Sequence, residues 1–208
     1  GMSRSSGVPS YRHHDGTWQG ARMSEVASAE AWASHPERVR AWHDAQRTSL
    51  ALAMPNPAHL ALARLQQRWG ERRVHLLSHN VDGLLEKAGA AKGLESYGSL
   101  FRLRCEAQAG HPAIGVFGAQ NPALRCKLCG AALRPDIRWD GEPPLLEDEV
   151  EAAFQSSRLF VAVGTAAHRE PAASLVARAR AAGARTIEIN VDPHGVDFDE
   201  VLRGDADE

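Results

Sequence analysis

An α/β fold built on a parallel sheet is predicted by three short apolar runs: VHLLSH (74–79), RLFVAVG (158–164) and RTIEINV (185–191). Each is rich in Val, Ile or Leu and has a helical pattern beside it, as buried parallel strands do. Between the last two, EPAASLVARARAAGA offers Pro171 for a first helical turn, an alanine-rich body and Gly183 as a stop. That completes strand, helix, strand, the repeating unit of a parallel sheet. NPAHLALARLQQRWG (56–70) is an amphipathic helix leading into the first strand. Residues 24–54 read as helical, with Trp32, Val39, Trp42, Leu50 and Leu52 as apolar points. Residues 100–145 break the rhythm: rich in Gly, Pro and Cys and weakly periodic, they predict a small insert held by loops or a metal.

The chain has 208 residues, enough for one domain, or one domain with a smaller insert, around a real core. Lys and Arg total 24 against 26 Asp and Glu, and the arginines are scattered, which excludes a basic stripe for nucleic acid or a membrane-surface patch. No apolar run reaches the ~18 residues of a membrane span. The N-terminus lacks a charged-then-apolar leader, so a cytoplasmic location is expected. Gly1 ahead of Met2 reads as an expression remnant. Three cysteines are too few, and odd in number, for a disulfide framework; Cys126 and Cys129 in CKLCG, with Cys105 alone, point to metal or to nothing.

Polar residues gather where the strands end. His79, Asn80 and Asp82 follow the first, at the carboxyl end where open α/β sheets bind ligands; Asp82 equally suits a helix cap. Gly164 and Thr165 follow the second and suit phosphate or ribose hydroxyls, or an ordinary strand-to-helix loop. Asn190, ending the third, is placed for a ribose or adenine. Together the three ends define one crevice of nucleotide character. SSGVPSYR (5–12) holds Tyr11 and Arg12, whose guanidinium fork suits a phosphate or carboxylate unless it is simply solvated. In GLESYGSLFRLRC (93–105), a strand entry is followed by a turn at Gly98–Ser99 and an apolar, basic run ending in cysteine.

These motifs, in this order, resemble the sirtuins, the family of NAD-dependent protein-lysine deacylases. GMSRSSGVPSYRHHDGTW is similar to the family's Gly-Ala-Gly-x-Ser-x-x-Ser-Gly-Ile-Pro-x-Phe-Arg opening, and SHNVDGL to Thr-Gln-Asn-Ile-Asp-x-Leu. YGSLFRLRC resembles His-Gly-Ser and the first zinc cysteine, and CKLCGAALRPDIRWDGE the second cysteine pair with Leu-Arg-Pro-x-Val-Val-x-Phe-Gly-Glu. VGTAAHREPAASL and IEINVDP resemble the loops holding the adenosine half of NAD. The resemblance implies a Rossmann-like NAD-binding domain at 1–23, 56–99 and 143–208, and a small helical and zinc-ribbon-like domain at 24–55 and 100–142. It implies NAD as cofactor and an acyl-lysine protein or peptide as partner. Asn80 and Asp82 match the pair that shapes the nicotinamide and ribose pocket. Asp140, Gly141 and Glu142 match the loop that adds the substrate as a strand.

The chain departs from the pattern at four places. Tyr97 stands where the family has its catalytic histidine; a phenol titrates near pKa ~10, so general-base help worth ~10²–10⁴-fold is withdrawn. His79, in place of the family's Gln, is either a relocated base or a keeper of Gln's hydrogen bond. The first strand and most of the Gly-Ala-Gly loop are missing from the pattern, which weakens the pyrophosphate contact and leaves a sheet edge for a partner, including a second copy. Gln108 takes the fourth zinc cysteine's place, so His111 must complete a Cys₃His site with Cys105, Cys126 and Cys129, or the site is incomplete. His43 and Gln46 stand where one sirtuin class has the Tyr and Arg that grip acidic acyl groups, so negatively charged acyl substrates are not favoured, and Asp140 replaces an apolar Phe. Three functions follow: an NAD-dependent deacylase, impaired at Tyr97; an NAD- or ADP-ribose-binding module without turnover; and an NAD glycohydrolase or ADP-ribosyltransferase.

Overall fold

In a computed structural model of the chain, the structure describes residues 1–9, 17–18, 21–139, 141–165, 172–193 and 198–207. The three predicted strands are present as β3 (Leu76–Ser78), β8 (Leu159–Val163) and β9 (Arg185–Asn190). All their pairings are parallel: β3 with β4 (Gly93–Glu95), and β8 with β9, which also pairs β10 (Glu200–Arg203). Helix α4 (Pro57–Trp69) precedes β3, α6 (Glu147–Ser156) precedes β8, and α7 (Ala172–Ala181) joins β8 to β9. Asn56 starts α4 by accepting the His59 N–H at 3.2 Å, with Pro57 in the first turn. Gly183, at φ 79°, ends the α7 segment in the left-handed region that glycine tolerates. Apolar side chains of both sheets meet the helices in one core: Leu94, Val150, Phe154, Leu175, Ala179 and Ala184, with Leu77 and Phe160 packed against them.

The helical stretch at 24–54 is three helices rather than one: α1 (Met23–Val26), α2 (Ala29–Ser34) and α3 (Pro36–Ala51). Ser28 caps α2 by accepting the Ala31 N–H. His35 precedes Pro36 and sits at φ −141°, ψ 60°, because proline bars its neighbour from the helical region. Leu52 falls just past α3 and is 87% exposed, so it is not the core point its spacing suggested. Trp32, Val39 and Leu50 do enter a core, with Val8, Leu84, Leu100 and Trp139. A short antiparallel pair, β1 (Thr17–Trp18) and β2 (Ala21–Arg22), leads into α1, and α5 (Leu84–Lys87) follows β3.

The second sheet is antiparallel, in the order β6 (Ile114–Gly115), β5 (Gly98–Cys105), β7 (Leu133–Ile137). Here the expected turn at Gly98–Ser99 is corrected: the chain turns at Ser96–Tyr97, and Gly98 already pairs with Ile137 as the first residue of β5. Gly98 has φ 82°, and a Cβ there would lie 1.8 Å from the Asp136 carbonyl oxygen, so the glycine permits close strand approach. β7 carries Pro135, and the β5–β7 register shifts between Ser99 and Leu103, which hid this strand from a pattern search. Among the described residues no helix is long and apolar enough to cross a membrane.

Candidate functional site

The carboxyl ends of the parallel strands are spanned by the first residues of the chain. Gly1 packs on Gly164, just past β8: a Cβ on Gly1 would lie 2.5 Å from the Gly164 carbonyl oxygen, and one on Gly164 would lie 2.7 Å from the Met2 nitrogen. Two residues on, Ser3 reaches the loop after β3. Its Oγ donates to Asp82 Oδ2 at 2.6 Å and accepts from Asn80 Nδ2 at 2.9 Å. The same Oγ lies 3.2 Å from His59 Nε2. His59 Nδ1 lies 2.7 Å from Asn56 Oδ1 and 3.3 Å from the Asn56 backbone nitrogen, which ties the ring to the start of α4. Burial holds the His59 imidazole below its usual range, with the Asp82 charge pulling back only in part. Asp82 Oδ1 also accepts the Leu84 N–H at 3.0 Å, so the helix-capping role and the polar network belong to one carboxylate. Asn80 and Asp82 are thus brought together by Ser3 and His59. Ser3 lay within the opening motif without being singled out, and His59 reads only as the third residue of a capping box.

Two clefts flank this segment. One is lined by Met2, His59, Asn80, Asp82, Glu86 and Glu95, and the other by Gly1, Arg4, Gly164, Asn190, Gly204 and Asp205. Asn190 faces the second cleft but is braced: its Nδ2 donates to the Thr165 carbonyl at 2.8 Å and to Glu188 Oε1 at 3.0 Å. Gly164, at φ 60°, turns the chain out of β8 toward Thr165. Tyr11 and Arg12 lie outside the described residues.

At the other side of the β3 end, three side chains are layered. The His79 and Tyr97 rings stack with centroids 4.8 Å apart and planes 20° from parallel. The Arg138 guanidinium lies over Tyr97, 5.0 Å from the ring centroid. Arg138 enters from the end of β7: its N–H donates to the Tyr97 carbonyl at 3.0 Å, and its Nε to the Glu142 carbonyl at 2.7 Å. Burial, and then the Arg138 charge, hold His79 below its usual range, so it is neutral at pH 7. His79 and Tyr97 are therefore one unit, and Arg138 is the member the sequence did not single out. Its only signal was a charged residue following an apolar strand.

Glu142 is turned inward. Arg134 grips both of its oxygens, at 2.7 and 2.8 Å, Arg104 donates at 3.0 Å and the Trp139 N–H at 2.9 Å. Burial alone would raise the Glu142 carboxyl, but these donors hold it below the usual carboxylate range. Gly141, at φ 83°, makes the turn that aims it; Asp140 lies outside the described residues. His43 and Gln46 are buried in α3, and His43 Nδ1 contacts the Val39 carbonyl at 2.8 Å.

Cys105, at the end of β5, meets Cys126, Cys129 and His111, and the four ligand atoms all lie within 4.8 Å of one another. The Cys105 and Cys129 sulfurs are 3.5 Å apart, and His111 Nδ1 is 3.3 Å from the Cys126 sulfur. A tetrahedron with Zn–S bonds of ~2.3 Å has edges of ~3.8 Å, so this donor set fits a structural zinc. The Gln108 carbonyl accepts the His111 N–H at 3.2 Å, in the loop that carries the histidine. The Leu128 and Cys129 backbone N–H groups draw the Cys126 thiol down to about 6, toward the thiolate that binds metal.

The model of the Sir2 family matches residues 1–171. An NAD-dependent protein deacylase of Caulobacter vibrioides is 40% identical over 215 residues, covering 100% of this chain and 89% of its own. One of Escherichia coli K12 is 38% identical over 212 residues, covering 99% and 75%. The solved structure of a Sir2 homologue in complex with NAD superposes with a TM-score of 0.83 at 33% identity, over 99% of this chain and 81% of that one.

Proposed function

Since the chain belongs to the Sir2 family, we propose that it is an NAD-dependent protein-lysine deacylase whose turnover is slowed at Tyr97. The observation that carries the reading is the buried Ser3–Asn80–Asp82–His59 network between two clefts at the strand ends. In this reading Asn80 and Asp82 shape the nicotinamide-ribose pocket, while Gly164, Thr165 and Asn190, with Tyr11 and Arg12, serve the rest of the NAD. The substrate is an acyl-lysine protein or peptide lying beside Gly141 and Glu142. Neutral His79 is the group left to accept the ribose proton that Tyr97 cannot take. A zinc held by Cys105, His111, Cys126 and Cys129 would be structural, since four protein ligands leave no open position for chemistry.

The His79–Tyr97 stack favours a second reading, an NAD- or ADP-ribose-binding module without turnover, because an imidazole held face to face on a phenol is restricted as a proton carrier. NAD hydrolysis or ADP-ribosyl transfer is the third, since it uses the nicotinamide pocket and less of the base. We keep the division into a Rossmann-like domain and a small helical and zinc domain as part of the proposal. So is a cytoplasmic location. Among the described residues β8 pairs on one side only and exposes Leu159 and Val161, which suits edge pairing with a second copy. The test is calorimetry of NAD and ADP-ribose, with nicotinamide release measured with and without acyl-peptide. Release that requires peptide supports the deacylase. Release without peptide supports the hydrolase, and binding without release the sensor. No binding overturns all three.

A further inference from the structure

We propose that Arg138, layered on Tyr97 and His79, is an anchor for a carboxylate, so that the substrate group entering beside Tyr97 is anionic. This deepens the reading above and rests on its placement of the substrate beside Gly141 and Glu142. The guanidinium is half-buried and held from two sides: its Cζ sits over the Tyr97 ring and its Nε is fixed by the Glu142 carbonyl. That leaves the two terminal nitrogens, the edge that forms bidentate contacts with a carboxylate. Among the described residues no carboxylate pairs with Arg138. Glu142, whose carbonyl holds the Arg138 Nε, has its carboxylate committed to Arg134 and Arg104.

A cation set on an aromatic face, with no acidic partner among the described residues, is poorly suited to a neutral acetyl group. It is well suited to a negative one, because partial burial strengthens the pairing. The cation that the helix positions lack at His43 and Gln46 is thus supplied from a different element, the end of β7. Buried His43 and Gln46 have no part in it. The carboxylate has two sources, the far end of a dicarboxylic acyl group on lysine or an acidic side chain of the partner protein, and both present the same chemistry to Arg138.

Peptides carrying Nε-succinyl-lysine, Nε-acetyl-lysine or glutamate at one position separate these outcomes. Binding to the full chain is followed by the His79 imidazole resonance, assigned with His79→Gln, and nicotinamide release from NAD is measured in parallel. The expected result is roughly 10- to 100-fold tighter binding of a carboxylate-bearing peptide than of the acetyl peptide, the range of charge-assisted contacts. Arg138→Gln should erase that preference, and Arg138→Lys should restore only part of it. Preference for the succinyl peptide assigns the carboxylate to the acyl group, and preference for the glutamate peptide to a side chain. Equal binding of the acetyl peptide, or a preference that survives Arg138→Gln, overturns the inference. Arg138-dependent carboxylate binding with no nicotinamide release upholds the anchor and overturns the turnover reading instead.

Discussion

Tyr97 and His79 share one stack, so a change at either alters both. Tyr97→His restores a group that titrates near neutrality beside the strand-end pocket, and deacetylation should rise by ~10²–10⁴-fold with NAD affinity unchanged. Assay of acetyl-peptide turnover decides this; no gain would place the limit elsewhere than the base. Ser3 is a different kind of position. Its hydroxyl satisfies His59, Asn80 and Asp82 at once, and Ser3→Ala strands three polar groups, two of them buried. A stability loss of ~1–3 kcal/mol is expected in urea denaturation. NAD affinity should fall in the same variant if the network shapes the cofactor pocket.

The metal module shows how little local pattern an element needs when a ligand organises it. Its core is small: Leu103, Cys105, Val116, Cys126 and Leu133. A bound ion therefore contributes much of its folding energy. One zinc per chain is expected by elemental analysis. Chelation should raise hydrogen exchange across 105–133 while β8 and β9 stay protected, and His111→Ala should weaken zinc retention tenfold or more. Protection unchanged by the chelator would show that the antiparallel sheet stands without metal. The β5–β7 contact has its own weak point. Gly98→Ala drives a methyl into the Asp136 carbonyl at a left-handed φ, and should cost at least ~2 kcal/mol by denaturation.

Across the molecule, buried titratable groups set opposing pH slopes. Burial lowers His43 from 6.5 to about 4, and His59 and His79 are lowered as well. The unfolded chain binds these protons first, so stability is lost as pH falls through this range. Glu95 runs the other way. Burial raises it from 4.5 to about 7, despite the opposing pull of Arg102, with Glu86 and Asp136 adding to the rise. The folded chain therefore holds a proton that the unfolded chain has given up, and stability falls as pH rises from ~5 to ~7. The two trends oppose each other between ~5 and ~6.5. In Glu95→Gln, stability should climb more steeply with pH over that span, and in His43→Gln less steeply. Denaturation midpoints from pH 4 to 8 check both signs.

The parallel strands, the helices between them and the polar residues at the strand ends were legible in the chain, because apolar runs and capping residues act over a few positions. Cys105, Cys126 and Cys129 were legible as candidate metal ligands by residue type, and His111 as a candidate fourth only beside the family resemblance, because the fold brings it to Cys126. The split of 24–54 at Ser28 and Pro36 has local causes, yet a periodic apolar pattern masked it. Pairings between distant segments were not legible: β7 lies behind a proline and a register shift, and the turn at Ser96–Tyr97 depends on the Asp136 carbonyl 38 positions beyond Gly98. Ser3 on Asp82, and Arg138 on Tyr97, likewise join residues 79 and 41 positions apart. By itself the sequence determined which chemistry the chain carries, since residue type limits charge, metal binding and proton transfer. Only folding in three dimensions selected which of those groups meet, because burial and distance, not spacing along the chain, set the strength of each contact.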